Sequence, residues 1–175
     1  FPVDAEVKYK DNLMNAYDNS IRYTDNFLAR IIHLLKQQQV DASMLYTSDH
    51  GEDIFDDGRH LFLHASPVPS YYQLHVPLLL WTSDSYREEY PGIEKAASMN
   101  RQKNISSSIS FFQTMMELAG IETPYRNDSL SVTSPLYTEK SRVYLNDHNE
   151  PHSLDDIGMR KEDFEMLKKR GIDAQ

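Results

Sequence analysis

Cysteine is absent from the 175 residues. That excludes a disulfide framework and any zinc–thiolate site, so a bound metal would have to be held by His, Asp, Glu or hydroxyl groups. Long apolar runs are missing too. The longest, around Val76 to Trp81, is strand-sized, far short of the roughly 20 residues that span a bilayer. Basic residues are in the minority, 18 against 27 acidic ones for a formal charge of -9. This argues against nucleic acid as a partner, because binding a phosphate backbone needs a basic footprint. A phosphate-bearing substrate stays open, since a metal ion can supply local positive charge. A signal peptide and an opening methionine are also lacking, and the chain starts Phe1-Pro2. The expectation is a piece of a longer protein.

What is present reads as a folded α/β unit. A composition 39% hydrophobic and 26% charged excludes wholesale disorder, and the length fits one domain or a large part of one. Across residues 9–39 the apolar positions Leu13, Tyr17, Ile21, Leu28, Ile31 and Leu35 keep helical spacing, which predicts a long amphipathic helix ending in Gln37-Gln38-Gln39. The short apolar run 43–47 predicts a buried parallel strand, and 76–81 a second strand with Pro77 near its start. Between them, 49–75 carries glycine, prolines, histidines and carboxylates with little periodicity. A loop of that length exists for a function. A second helix is expected over 106–119, with Ile109, Phe112, Met116 and Ala119 on one face and Gly120 as its stop. A third strand is expected over 141–146. A polar surface helix is expected over 153–171, from the Ser153/Asp156 start signal and the Glu165–Lys169 spacing. Strands alternating with helices argue a layered α/β fold with a mostly parallel sheet.

The chemistry concentrates in Tyr46-Thr47-Ser48-Asp49-His50-Gly51-Glu52. A strand that ends in a carboxylate and an imidazole puts both where ligands gather in open α/β sheets. Adjacent Asp49 and His50 offer one hard oxygen and one borderline nitrogen, a set suited to zinc or manganese. Gly51 permits the sharp turn that lets both side chains face one ion. The plain alternative is a strand-end turn with solvated polar residues. Fourteen residues on, His64 stands in Leu63-His64-Ala65-Ser66-Pro67; a lone histidine beside an apolar residue is more often structural than a ligand. His33, His60 and His75 read as packed or surface residues, and Asp147-His148-Asn149-Glu150-Pro151-His152 as a turn after a strand.

Four segments occur in order: Asn15-Ala16-Tyr17-Asp18-Asn19-Ser20-Ile21-Arg22-Tyr23-Thr24-Asp25, Ser48-Asp49-His50-Gly51-Glu52, Gln73-Leu74-His75-Val76-Pro77 and Trp81-Thr82-Ser83-Asp84-Ser85. The series resembles bacterial phosphoethanolamine transferases, which share the sulfatase and alkaline-phosphatase fold. The resemblance covers 15–85 and implies an alkaline-phosphatase-like α/β fold, present here as its C-terminal portion. It implies that Asp49 and His50 are zinc ligands, sharing the ion with an acidic residue and a threonine nucleophile upstream of Phe1. It implies that His64 lines the phosphate and second-metal region. There the family reads His-Gly-x-Pro and this chain has Ala65. Glu52 is implied to support the turn or the ligands rather than bind the metal.

The implied reaction moves phosphoethanolamine from a phosphatidylethanolamine donor, through a covalent threonine adduct, to a lipid A or other glycolipid acceptor. The implied location is the bacterial inner membrane, anchored by an N-terminal segment not in this sequence, with the catalytic domain in the periplasm. No threonine of this chain stands in a nucleophile's context, so the chain alone is expected to be inactive. Family members usually carry disulfides, and their absence here leaves the acceptor undefined. Competing readings are a sulfatase-like hydrolase or glycerophosphate transferase of the same fold, and a non-catalytic binding module. The identity of the upstream nucleophile separates the enzymes; intact Asp49 and His50 speak against the module.

Overall fold

In the computed structural model, which describes residues 5–64, 66–145, 148 and 150–172, a 3-10 turn at Val7–Tyr9 leads into helix α1, Lys10–Gln38. Leu13, Tyr17, Leu28, Ile31 and Leu35 form a half-buried row on α1, Ile21 is exposed, and no residue of the helix is fully buried. The helix ends where Gln39 turns left-handed at φ 52°. Strand β1 (Ser43–Thr47) is followed by a short hairpin of β2 (Asp53–Ile54) and β3 (Phe62–Leu63), the single-turn helix α2 (Tyr71–Leu74) and strand β4 (Leu78–Thr82). Helices α3 (Asp84–Glu89), α4 (Pro91–Asn100) and α5 (Ser107–Leu118) come next. A second hairpin, β5 (Val143–Leu145) with β6 (Pro151–Ser153), and helix α6 (Lys161–Lys169) complete the described chain. Of the expected strand 141–146, residue 146 lies outside the described residues, as do 147 and 149 of the turn that follows. Among the described residues no helix is long and apolar enough to cross a membrane.

β1 and β4 pair antiparallel, with Met44 opposite Trp81, Leu45 opposite Leu80 and Tyr46 opposite Leu79. Ser83 locks the end of the ladder. Its N–H donates to the Ala42 carbonyl at 2.8 Å, and its hydroxyl accepts from Ala42 at 3.1 Å. The same hydroxyl accepts the Tyr86 N–H at 3.2 Å and so caps α3. All three ladders among the described residues are antiparallel, so the parallel pairing expected for 43–47 is not made within them. A parallel partner needs a crossover that carries the chain back to the start of the strand, usually by a helix. The connection from β1 to β4 holds only a hairpin and one helical turn, and it returns the chain alongside β1 in the opposite sense. With one neighbour apiece among the described residues, β1 is half-buried throughout and β4 ranges from exposed Leu79 to buried Thr82. Helices and strands are mixed along the chain, as in the α/β class, and antiparallel strands at the margin of a parallel sheet are common in that class.

α5 turns a different face inward from the one its apolar spacing selects. Ser110, Thr114 and Leu118 are buried, while Phe112 is 56% exposed. Hydrogen bonding explains the choice. Thr114 Oγ1 accepts the Val132 N–H at 3.0 Å, and the Glu117 carboxylate receives the hydroxyls of Ser131 and, at 2.7 Å, Thr133. From α4, the Asn100 amide donates to the carbonyls of Val132 (3.0 Å) and Ser134 (2.7 Å). The helix stops at Gly120, φ 62°, where the Ile121 N–H reaches back to the Met116 carbonyl at 2.9 Å.

The helix expected over 153–171 is confined to Lys161–Lys169. Ser153 and Asp156 bond each other in a turn of their own, the hydroxyl donating to the carboxylate at 2.7 Å, so the start signal is consumed before the helix begins. Nor does α6 lie free on the surface. Leu167 joins Tyr71, Leu154 and Met159 in the apolar core cluster, with Phe164, Ile157, Tyr72 and Leu74 packed around it. Asp163, in the first turn of α6, is buried and accepts the Tyr71 N–H at 3.0 Å and two Arg59 bonds at 2.8 and 3.0 Å. The core therefore sits behind α2 and the β2–β3 turn.

Removing that carboxylate by Asp163→Ala leaves a buried N–H and a largely buried guanidinium short of partners. The expected cost is about 2–4 kcal/mol, read as a lower urea midpoint with unchanged slope. Acid should act on the same network. Hydrogen bonding to Arg59 holds the Asp57 carboxyl down to about 2 from its ordinary 3.8. The folded value is the lower one, so the stabilisation is complete above pH 3.8 and fades as pH falls toward 2. Solvent screening keeps it on the order of 1 kcal/mol. Denaturation midpoints across that window should decline in the parent and flatten in Asp57→Asn.

Candidate metal centre

Asp49, His50, Gly51 and Glu52 leave the end of β1 and enter β2. The backbone at Gly51 is held tightly, its N–H donating to the Gln73 carbonyl at 2.8 Å. A Cβ at this position would stand 1.9 Å from the Tyr72 carbonyl oxygen, so only glycine lets the turn lie against α2. From there the hairpin register does the positioning. Asp53 pairs with Leu63, and one residue further out Glu52 lies across from His64. Leu63 itself sits at φ 65°, a strained conformation for a bulky residue, immediately before the histidine.

The result is a cluster of His50, Glu52 and His64, with Asp49 at its edge. His64 Nδ1 donates to the Glu52 carboxylate at 3.0 and 3.1 Å, and the His50 and His64 rings lie 3.9 Å apart between centroids. His50 uses its two nitrogens differently. Nδ1 lies 3.0 Å from the Gly51 carbonyl, which can only accept, so the proton is on Nδ1. Nε2 faces the Asp49 carboxylate at 3.7 Å. Asp49 is otherwise open to solvent, and its carboxyl is held below the usual range, first by its own backbone N–H and next by the His50 imidazole. One ligand atom from each of His50, Glu52 and His64 lies within 4.8 Å of the others.

The structure thus brings three of the four motif residues, His50, Glu52 and His64, into one group, with Asp49 on the far edge of the His50 ring. The donor set suits a small divalent cation: imidazole nitrogens and carboxylate oxygens, with one imidazole already fixed by a hydrogen bond from its other nitrogen. The segment 49–75 is not a bare loop, since it contains β2, β3 and α2.

His60, His75 and His33 stay apart from this cluster. His60 is exposed and closes a turn through its N–H to the Asp57 carbonyl at 3.1 Å. His75 shares a 2.8 Å hydrogen bond with the Tyr71 hydroxyl, and burial, then Arg170 and Arg142, keep its pKa low. His33 pairs with Gln37 on α1. Motif reading missed the supports. Lys10 ties α1 to the loop through the Phe55 carbonyl at 2.7 Å, and burial, then Glu52, raise the pKa of Tyr17. Asp53, buried, takes hydrogen bonds from Ser70 at 2.7 Å and from Gln73. The partners stand 17 and 20 residues away, and no local signal links them.

Comparison with known proteins adds to this geometry. The family model described as Sulfatase matches residues 2–121. Phosphoethanolamine transferase EptA of Escherichia coli strain K12 is 35% identical over 120 residues, covering 66% of this chain and 22% of that protein. The chain therefore spans about a fifth of the length of that curated relative. The C-terminal periplasmic domain of EcEptC from Escherichia coli superposes with a TM-score of 0.68 at 26% identity, over 82% of this chain and 39% of that one. The same domain in complex with Zn gives a TM-score of 0.65 at 24% identity, over 88% and 43%, and that likeness bears on the fold alone. The chain belongs to the sulfatase family.

Proposed function

We propose that this chain is the C-terminal, metal-binding part of a bacterial phosphoethanolamine transferase, and that Asp49 and His50 hold a zinc ion. The observation that carries the reading is the His50 ring itself. Its Nδ1–H is committed to the Gly51 carbonyl, and its Nε2 and Asp49 Oδ2, 3.7 Å apart, face each other. Two donors about 2.0–2.1 Å from a tetrahedral ion stand roughly 3.3 Å apart, so a small closure makes them neighbours on one metal. A histidine nitrogen with a carboxylate oxygen favours zinc, with manganese the second choice.

Bound there, zinc would lower the pKa of a coordinated hydroxyl and draw charge from phosphoryl oxygens. The chain's own groups do the rest. Asp49 stays ionised at neutral pH because its backbone N–H and the imidazole favour the charged form. His64, turned by its Nδ1–H bond to Glu52, lines the phosphoryl side of the site, where its Nε2 can ligate a second metal or, in the imidazolium form, donate to a phosphoryl oxygen. The nucleophile comes from outside this sequence. The hydroxyls beside the pair are engaged, Thr47 donating to the Pro77 carbonyl at 2.9 Å and Ser48 to the His50 carbonyl at 2.8 Å.

The donor is phosphatidylethanolamine, and the acceptor lipid A or another cell-envelope glycolipid. The protein acts from the inner membrane with its catalytic domain in the periplasm. What supports this is family membership together with relatives that carry the transferase name over two thirds of this chain.

Elemental analysis of the purified chain is the test. Zinc should be present in the parent and lost in both Asp49→Ala and His50→Ala. Metal retained in both variants would mean other ligands hold it. Gly51→Ala should also lose zinc and should cost about 1–3 kcal/mol in denaturant unfolding, because the added methyl drives the turn off α2. Phosphoethanolamine transfer should be undetectable with the chain alone; turnover by it would place the nucleophile within these residues.

A further inference from the structure

We propose that Asp53 and Gln73 are positioning residues for the metal, acting on the His50 ring through Gly51; the proposal rests on the assignment of His50 as a ligand. Asp53 is a buried carboxylate whose hydrogen bonds come from neutral donors, the Ser70 hydroxyl at 2.7 Å and the Gln73 side-chain amide. Burying a charge against neutral partners is unfavourable unless the geometry it secures matters. Here it secures α2. Ser70 caps that helix by accepting the Gln73 N–H at 3.3 Å, and the Gln73 side chain folds back to the same carboxylate. Gln73 is thereby fixed at both its backbone and its side chain.

The Gln73 carbonyl is the group that takes the Gly51 N–H, and the Gly51 carbonyl is the group that takes His50 Nδ1–H. Gly51 therefore transmits the position of α2 to the imidazole. Displacing Gln73 would release the peptide before Gly51, and rotation at the Gly51 Cα would swing the following peptide, whose carbonyl is the acceptor that keeps the proton on Nδ1 and leaves Nε2 for the metal. Partners that orient a ligating histidine are typically worth ten- to a hundredfold in metal affinity, on the order of a ligand's own alignment.

The experiment is a cycle of isosteric exchanges. Zinc affinity and the visible spectrum of the cobalt-loaded protein are measured for the parent, Gln73→Glu, Asp53→Asn and the double variant. Gln73→Glu sets two carboxylates against each other. The double variant exchanges amide and carboxylate and restores their hydrogen bond at unchanged volume. Gln73→Glu should bind zinc roughly ten- to a hundredfold more weakly, with the cobalt bands weakened. The double variant should return to within about threefold of the parent and recover its spectrum.

Parental affinity and spectrum in Gln73→Glu would overturn the proposal. So would a double variant that melts at the parental temperature and keeps the deficit. If Gln73→Glu does not fold, Ser70→Ala, which removes the other donor to Asp53, carries the same comparison. Failure of the ligand assignment reads differently, because Asp49→Ala and His50→Ala would then keep the metal whatever the Gln73 variants do.

Discussion

A carboxylate taken out of water must have its lone pairs filled by the protein, and Asp163 fills them from two distant stretches of chain. Arg59 arrives from the β2–β3 turn, 104 residues away, and the Tyr71 N–H from the start of α2, 92 residues away. One buried group therefore fixes the relative placement of a hairpin, a helical turn and the C-terminal helix that carries it. The apolar cluster of Tyr71, Leu154, Met159 and Leu167 closes around the same junction. Hydrophobic burial supplies the non-directional attraction there, while the guanidinium–carboxylate pair supplies direction. Glu52 and His64 flank the hairpin that Arg59 anchors, so their meeting follows from a contact well away from either of them.

The site that results is rich in acceptors. The Glu52 carboxylate and two imidazoles come together, with Asp49 at their edge, in a chain whose net charge is -9, an environment that attracts cations and repels anions. A bound divalent cation reverses the sign locally, which is how an acidic protein can recruit a phosphoryl group. The described ion pairs place Arg59, Arg87, Arg126 and Arg160 in structural networks elsewhere.

Local features were legible in the amino-acid order, and long-range ones were not. The 3.6-residue spacing in 9–39 anticipates α1 because one face of it packs against the loop. Gly51 announces a backbone constraint, and the constraint is the Tyr72 carbonyl. His50 and Glu52 stand two apart, and a hairpin with Asp53 opposite Leu63 is what adds His64 to them. That register cannot be read from two two-residue strands. α5 misleads for a different reason. Phe112 and Met115 point outward while Ser110 and Thr114 turn inward beside Leu118, since hydroxyls that satisfy a buried loop outweigh the surface saved by covering Phe112. Ser153 and Asp156 mimic a helix start because a serine–carboxylate pair three residues apart closes an isolated turn just as well. Asp53 offers no signal at all. Its partners lie across the fold, and an aspartate reads as surface until the structure surrounds it.

The side chains most completely removed from solvent are small and mostly polar: Thr114, Thr133, Asp163, Pro69, Ser70, Ser110, Ser131 and Ser134. That has a thermodynamic consequence separate from the site. Hydrating apolar surface on unfolding raises the heat capacity, and hydrating polar surface lowers it. A chain that seals hydroxyls and a carboxylate at its centre, and leaves residues such as Phe112 and Leu136 half in water, is expected to unfold with a small heat-capacity change for its length. A small change would flatten the stability curve and set cold and heat denaturation far apart.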